Sequence, residues 1–144
     1  MGDGYLTRRL TADQLLQKLN NLKAGTIPAI ATAMEMAALN VEGESKKNCT
    51  PGQSPYYRAP YSDDNDPRRD PVHMRDTIKG TVTIAGNSVH GLVGTPKEYA
   101  LFVHEGTTKM QARPFILDAI KAKDKDTRAI LSKALEDAIK RECL

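Results

Sequence analysis

Apolar residues recur at helical spacing through the first third of the chain, beginning after Thr11, a suitable N-cap. The leucines that follow share one face of a helix with a period of 3.6 residues: Leu15, Leu16, Leu19 and Leu22. Thr26 can cap a second helix, which would tolerate Pro28 in its first turn. The apolar stripe of that helix is Ile27, Ile30, Ala31, Met34, Ala38 and Val41. The pattern predicts two helices, with a hinge at residues 21–26 and an end at Gly43, or one kinked helix.

Residues 44–71 break this apolar periodicity, because they contain five prolines and three tyrosines. Proline lacks a backbone N–H and opposes helix formation, so the segment is predicted to be a long loop. Tyrosine favours interfaces because it supplies contact area at a low entropic cost. We expect Tyr56, Tyr57 and Tyr61 either to form an interface or to pack together within a flexible insertion.

Residues 77–94 show the pattern of a β-hairpin. The first half is rich in β-branched side chains, and its apolar residues alternate at Ile78, Val82 and Ile84. The turn signal Gly86-Asn87-Ser88 separates this run from a second short apolar run. Two such runs joined by a tight turn predict paired antiparallel strands.

Residues 99–104 form another short apolar run, which is either a third strand or a short helix, and the helical pattern resumes at Pro114. We therefore expect one domain of residues 1–144 with an α+β fold. A small antiparallel sheet, built from about residues 77–104, packs against the N-terminal helices and a C-terminal helix. The composition, 27% charged and 40% hydrophobic, is typical of a globular domain. No apolar run approaches the roughly 20 residues that span a bilayer, so we expect no membrane partner.

The stretch YALFVHEGTTKMQARPF, residues 99–115, joins the apolar run to the last helix. Gly106 permits a sharp turn, because glycine pays no steric penalty at positive φ. Pro114 suits the first turn of a helix, where its missing N–H costs nothing. The stretch contains no nucleophile beside a base, so it is typical of a structural connection between two elements and not of a catalytic site.

This pattern, "YA…V-E-G-T…A-R-P-F", resembles the tail-component proteins of long-tailed double-stranded DNA bacteriophages. The matching residues are Tyr99, Ala100, Val103, Glu105, Gly106, Thr107, Ala112, Arg113, Pro114 and Phe115. The similarity covers about the C-terminal half of the chain. His104-Glu105 departs from the family pattern, which more often has glutamate followed by an aromatic residue.

The resemblance implies a structural virion protein at the head–tail junction, in a neck, tail-completion or tail-terminator role. Such a protein forms a homo-oligomeric ring, for which family precedent favours a hexamer, and lets DNA pass. Its partners would be head-closure or connector proteins and tail-tube proteins, with transient non-specific contact with phage DNA. It would be assembled in the host cytoplasm and located in the virion, and it would need no cofactor.

The same resemblance suggests separate roles for the residues of the motif. The expected core anchors are Tyr99, Leu101, Phe102 and Val103. Gly106 sets the corner, and Phe115 seats the last helix. Glu105 and Arg113 bridge across the corner or between subunits, where the planar guanidinium suits a carboxylate. The candidate subunit or ring interface is Arg113 with Tyr56, Tyr57 and Tyr61.

Candidate catalytic and metal-binding patterns fail on spacing. His104-Glu105 begins an H-E-x-x-H zinc motif, but Thr108 stands where the second histidine is needed. We expect a hydrogen-bonded pair there, or a subunit contact. The acidic run at residues 63–66 lacks the spacing of an EF-hand loop. Cys49 and Cys143 match no metal or redox motif, so both thiols are expected to be free. The chain is therefore expected not to be an enzyme.

The distribution of charged residues leaves one alternative function open. From Thr77 to the end there are 11 Lys and Arg against 8 Asp and Glu, so this half holds the whole net charge of +3. The alternative function is a nucleic-acid-associated accessory protein that uses this mildly basic C-terminal half. Acidic residues alternate with the basic ones, however, as they do on an ordinary solvated helix face.

Overall fold

The computed structural model describes residues 11–50, 52–56 and 73–143. Along these residues two helices precede a two-stranded antiparallel sheet and two helices follow it, which confirms the predicted α+β class. The elements are α1 (Ala12–Asn48), α2 (Met74–Thr77), β1 (Lys79–Ala85), β2 (Ser88–Gly94), α3 (Tyr99–Glu105) and α4 (Phe115–Cys143). α4 packs along α1, and the hairpin of β1 and β2 packs on α1 as well.

The first third of the chain is one continuous helix of 37 residues. Its predicted start is confirmed, because the Thr11 hydroxyl accepts from the Gln14 N–H while the Gln14 side chain accepts from the Thr11 N–H. The expected break at residues 21–26 is wrong. The Thr26 hydroxyl donates to the Leu22 carbonyl at 2.6 Å from inside the helix, and α1 continues through Pro28. Packing against α4 outweighs the local cost of a helical proline, which is about 3 kcal/mol.

The end of α1 also differs from the prediction, because the helix passes Gly43 and ends at Asn48. Ser45 and Asn48 are buried, so tertiary contacts stabilise the turns that the sequence assigned to a loop. Lys46 and Lys47 lie in the last turn, where cations favour the carboxyl end of a helix. The predicted loop therefore begins after residue 48, and Tyr57 and Tyr61 lie outside the described residues.

The hairpin is confirmed, with Ala85 opposite Ser88 across a two-residue turn. It lies close against α1 at Gly80, where an added Cβ would be 3.0 Å from the Ala38 carbonyl oxygen. The expected extent of the sheet, residues 77–104, is wrong at both ends. Thr77 belongs to α2, and the third candidate strand is the helix α3.

Glu42 fixes the hairpin to α1 through two charge-assisted hydrogen bonds. Its carboxylate accepts from Lys46 Nζ at 2.5 Å and from the Gly80 N–H at 2.7 Å. The Lys46 ammonium, and secondly the Gly80 N–H, hold the pKa of the Glu42 carboxyl below its usual range. Both contacts favour the ionised form, so they stabilise the fold only while Glu42 is charged.

We expect Glu42→Gln to lower the free energy of unfolding by about 1–2 kcal/mol near neutral pH, because it removes the charge from both contacts. A carboxyl whose pKa is lower in the folded state contributes stability above about pH 4.3 and loses it as the pH falls further. The difference between wild type and variant should therefore shrink below that pH in urea titrations. Glu35→Gln, an exposed position on the same helix, is the control. A pH-independent difference would contradict this role.

Candidate assembly surface

The buried centre of the motif lies where α1 ends and α4 begins. Phe115 is fully buried there, in a cluster with Cys49, Met74, Ile78 and Ala100. Residues of α2, α3 and α4, with the residues that directly follow α1 and α2, therefore meet around one phenyl ring. Phe115, the first residue of α4, is thus packed in the core, where we expect it to seat the last helix.

Two polar contacts also hold the start of α4, one to the end of α1 and one to Tyr56 in the segment after it. The buried Asn48 amide donates to the Phe115 carbonyl at 3.0 Å. The Tyr56 hydroxyl donates to the Asp118 carboxylate at 2.5 Å. Burial, and to a smaller extent this hydrogen bond, raises the pKa of the Tyr56 phenol above its usual range. In the described chain Tyr56 packs against its own subunit's core. Asn48 was not predicted from the sequence, although Lys46 and Lys47 before Pro51 are a helix-end signal.

The corner after α3 is closed by backbone hydrogen bonds. The Gly106 N–H donates to the Phe102 carbonyl at 2.9 Å, and Thr107 and Met110 pair in a tight turn. The Arg113 N–H then donates to the Val103 carbonyl at 2.9 Å, which returns the chain to α3. Gly106 has a φ of 80°, as its predicted role requires. The corner is therefore a fixed connection between α3 and α4.

His104 lies inside this corner and contacts both helices. Its Nδ1 is 2.8 Å from Glu105 Oε1, and its Nε2 accepts from the Leu117 N–H at 3.4 Å. Its ring also meets the Phe115 ring edge-on, with the centroids 5.5 Å apart. The predicted hydrogen-bonded pair is confirmed, and its partners orient α3 against α4. Among the described residues no three His, Cys, Asp or Glu side chains are grouped to hold a metal.

α3 turns three of its four expected core anchors outward. Tyr99, Leu101 and Phe102 are 43%, 63% and 57% exposed, so their assignment to the core is wrong. The reason is the helical period, which places Ala100 and Val103 on the inner face and the residues between them on the outer face. Leu101 and Phe102 leave an apolar surface, which we call the α3 outer face.

The expected bridge between Glu105 and Arg113 does not form within this subunit. The Glu105 carboxylate is paired with His104 instead. Arg113 is half-buried, and its guanidinium forms no ion pair with any described residue. A bridge between subunits stays a prediction for this arginine.

Some charged groups of the two long helices form ion pairs, and the described chain holds one buried thiol. On α4, Arg128 pairs with Asp124 at 2.8 Å, and Lys123 lies 3.7 Å from Glu44 of α1. Cys49 is a free, fully buried cysteine, and burial raises the pKa of its thiol to about 12. Such a thiol stays protonated and is a poor nucleophile. Within the described residues neither long helix carries an apolar stretch sufficient to cross a bilayer.

Comparison with known families matches this chain to a family model described as "Bacteriophage HK97-gp10, putative tail-component" over residues 13–106. The match covers 94 of the 144 residues. It includes nearly all of α1, the hairpin and α3, and it ends at the corner glycine, so it extends further toward the N-terminus than the resemblance drawn from the motif. Neither the curated proteins nor the solved structures that were compared gave a match.

Proposed function

The chain belongs to the HK97-gp10-like family of phage tail components, and we propose that it forms a ring at the head–tail junction. The family is structural, so the coarse function is that of a tail protein in the virion, in contact with other phage tail proteins. In the proposed specific role the ring completes the neck or terminates the tail. Head and tail then dock on its two sides, and the genome passes through its centre.

The observation that carries this proposal is the α3 outer face. Leu101 and Phe102 lie on a short helix that is tied to the core by Ala100 and Val103, so their positions are fixed before any partner binds. Exposed apolar groups on a rigid element are typical of protein–protein contacts. A tail component with such a surface is suited to dock against another subunit.

Two charged residues of the corner, Glu105 and Arg113, are near the α3 outer face in the sequence. Arg113 follows the corner with its guanidinium unpaired among the described residues, and Glu105 ends α3 with a side chain that is 67% exposed. A bidentate bridge from Arg113 to a carboxylate of a neighbour would set the orientation of the contact. Such a heterologous interface, repeated around an axis, gives a closed ring when the rotation between neighbours divides a full turn.

The ring is tested by determining its place in assembled particles. Cryo-electron microscopy of virions, with the protein located by an epitope tag, should show a closed ring between portal and tail tube. Native mass spectrometry of the purified protein, alone and with its neighbouring neck protein, gives the number of subunits. Tag density along the tail shaft, or absence of the protein from virions, would contradict the proposal.

The nucleic-acid alternative predicts a different result. A salt-sensitive gel shift by the isolated protein at physiological ionic strength would favour it. A passage for a moving genome should hold DNA weakly, so the ring proposal predicts no stable shift. Substrate turnover that is lost on replacing His104 or Glu105 would contradict both functions.

A further inference from the structure

The first turns of α1 extend beyond the rest of the described molecule. α4 reaches its end beside Gly25, where an added Cβ would lie 2.5 Å from the Glu142 carboxylate. Residues 12–24 therefore continue past α4 for about 20 Å at the rise of an α-helix. We call this segment the arm. Every residue from 11 to 21 is exposed.

The arm carries an apolar stripe that nothing in the described chain covers. Leu15, Leu16 and Leu19 are 49%, 59% and 52% exposed, and they lie on one side of the helix with Leu22. Polar residues such as Gln17 and Asn21 occupy the opposite side. The arm is thus amphipathic, and no residue of the described chain packs on its apolar side.

A groove of matching size begins where the arm ends. It runs between α1 and α4, is lined along α1 from Gly25 to Met36, and has a volume of about 660 Å³. Small residues line much of it, including Ala29 on α1 and Ala134 on α4. Its length along α1 is about 17 Å, close to that of the arm. Small residues beside an open groove are the surface into which leucine side chains of another helix pack.

We propose that the arm of one copy of this chain lies in the α1–α4 groove of a second copy, with its leucines inward. The arm and the α1 wall of the groove belong to one continuous helix. An arm therefore cannot fold back into the groove of its own subunit. Each copy offers one arm and one groove, which is the arrangement of a heterologous contact that propagates from subunit to subunit. The inference rests on the proposed function only in naming a ring as the product.

The first test measures self-association of the full-length protein by sedimentation equilibrium. Leu16→Glu/Leu19→Glu should weaken it by about 30-fold, or about 2 kcal/mol, because two half-exposed leucines lose their burial. Gln17→Glu/Asn21→Glu adds the same charge to the polar side of the arm and should change little. Both sites are exposed, so thermal melts should show that each variant folds. Equal effects of the two variants, or no self-association of wild type, would overturn the inference.

The second test identifies the contact directly. In a Cys143→Ser background, a copy with Leu19→Cys is mixed with a tagged copy carrying Ala29→Cys or Met36→Cys, and a short bis-maleimide is added. A cross-link between the two copies is expected at one or both of these groove positions. Asn21→Cys, on the polar side of the arm, is the matched control and should give little product. Cross-linking as efficient from Asn21→Cys as from Leu19→Cys would overturn the inference.

The two proposals fail in distinguishable ways. Rings that persist in the Leu16→Glu/Leu19→Glu variant would refute the proposed arm contact but not the proposed ring. Cross-linked pairs that never close into a ring would support the arm contact and refute the ring.

Discussion

Replacement of Gly106 by valine is expected to lower the free energy of unfolding by about 3 kcal/mol or more. The residue has a φ of 80°, a conformation that a β-branched side chain tolerates poorly. Space is also lacking, because an added Cβ would lie 2.7 Å from the Ala112 nitrogen and 2.9 Å from the Met110 carbonyl oxygen. Both neighbours are backbone atoms of the closed corner, so relief would require breaking its hydrogen bonds.

Gly43→Ala is the matched control for this prediction. Gly43 lies inside α1 with open space around its Cα, so alanine should raise stability by about 0.5–1 kcal/mol. Urea denaturation followed by circular dichroism measures both variants. An unchanged midpoint for Gly106→Val would show that the corner is not a fixed part of the fold.

The second large effect is expected from Phe115→Ala, which should cost about 3–5 kcal/mol. The side chain is fully buried where α1, α2, α3 and α4 come together, and the cavity cannot close without moving a helix. Its loss also removes the ring that packs against His104. If the variant does not fold, Phe115→Leu should fold with a smaller loss, because it fills most of the space.

The chain provides its own control, since it contains only two phenylalanines. Phe102 is 57% exposed, so Phe102→Ala should change the free energy of unfolding by no more than about 0.5 kcal/mol. The ring proposal adds that Phe102→Ala weakens assembly while Phe115→Ala acts through folding. Equal losses of stability in the two variants would contradict the assignment of one to the core and the other to the α3 outer face.

Local signals in the sequence were sufficient for several elements. Thr11 with Gln14 specifies the start of α1, since a capping box needs only residues three apart. The turn at Gly86-Asn87 and the flanking β-branched residues specify the hairpin, and the pair Pro114-Phe115 specifies the start of α4. The positive φ of Gly106 and the pair formed by His104 and Glu105 followed from neighbours in the chain. Each of these features depends on contacts within a few residues.

Tertiary structure decided the features that local signals left open or misplaced. α1 passes through Pro28 and Gly43 because α4 and the central core bury its inner face, which no short window of sequence shows. Residues 99–105 form a helix and not a strand. With the period of a helix, Phe102 faces outward while Ala100 and Val103 face the core. The sequence by itself determined where elements begin and turn, because those signals are local hydrogen bonds and steric limits. The fold alone determined which apolar side chains are buried and which stay available for assembly, because burial depends on residues distant in the chain.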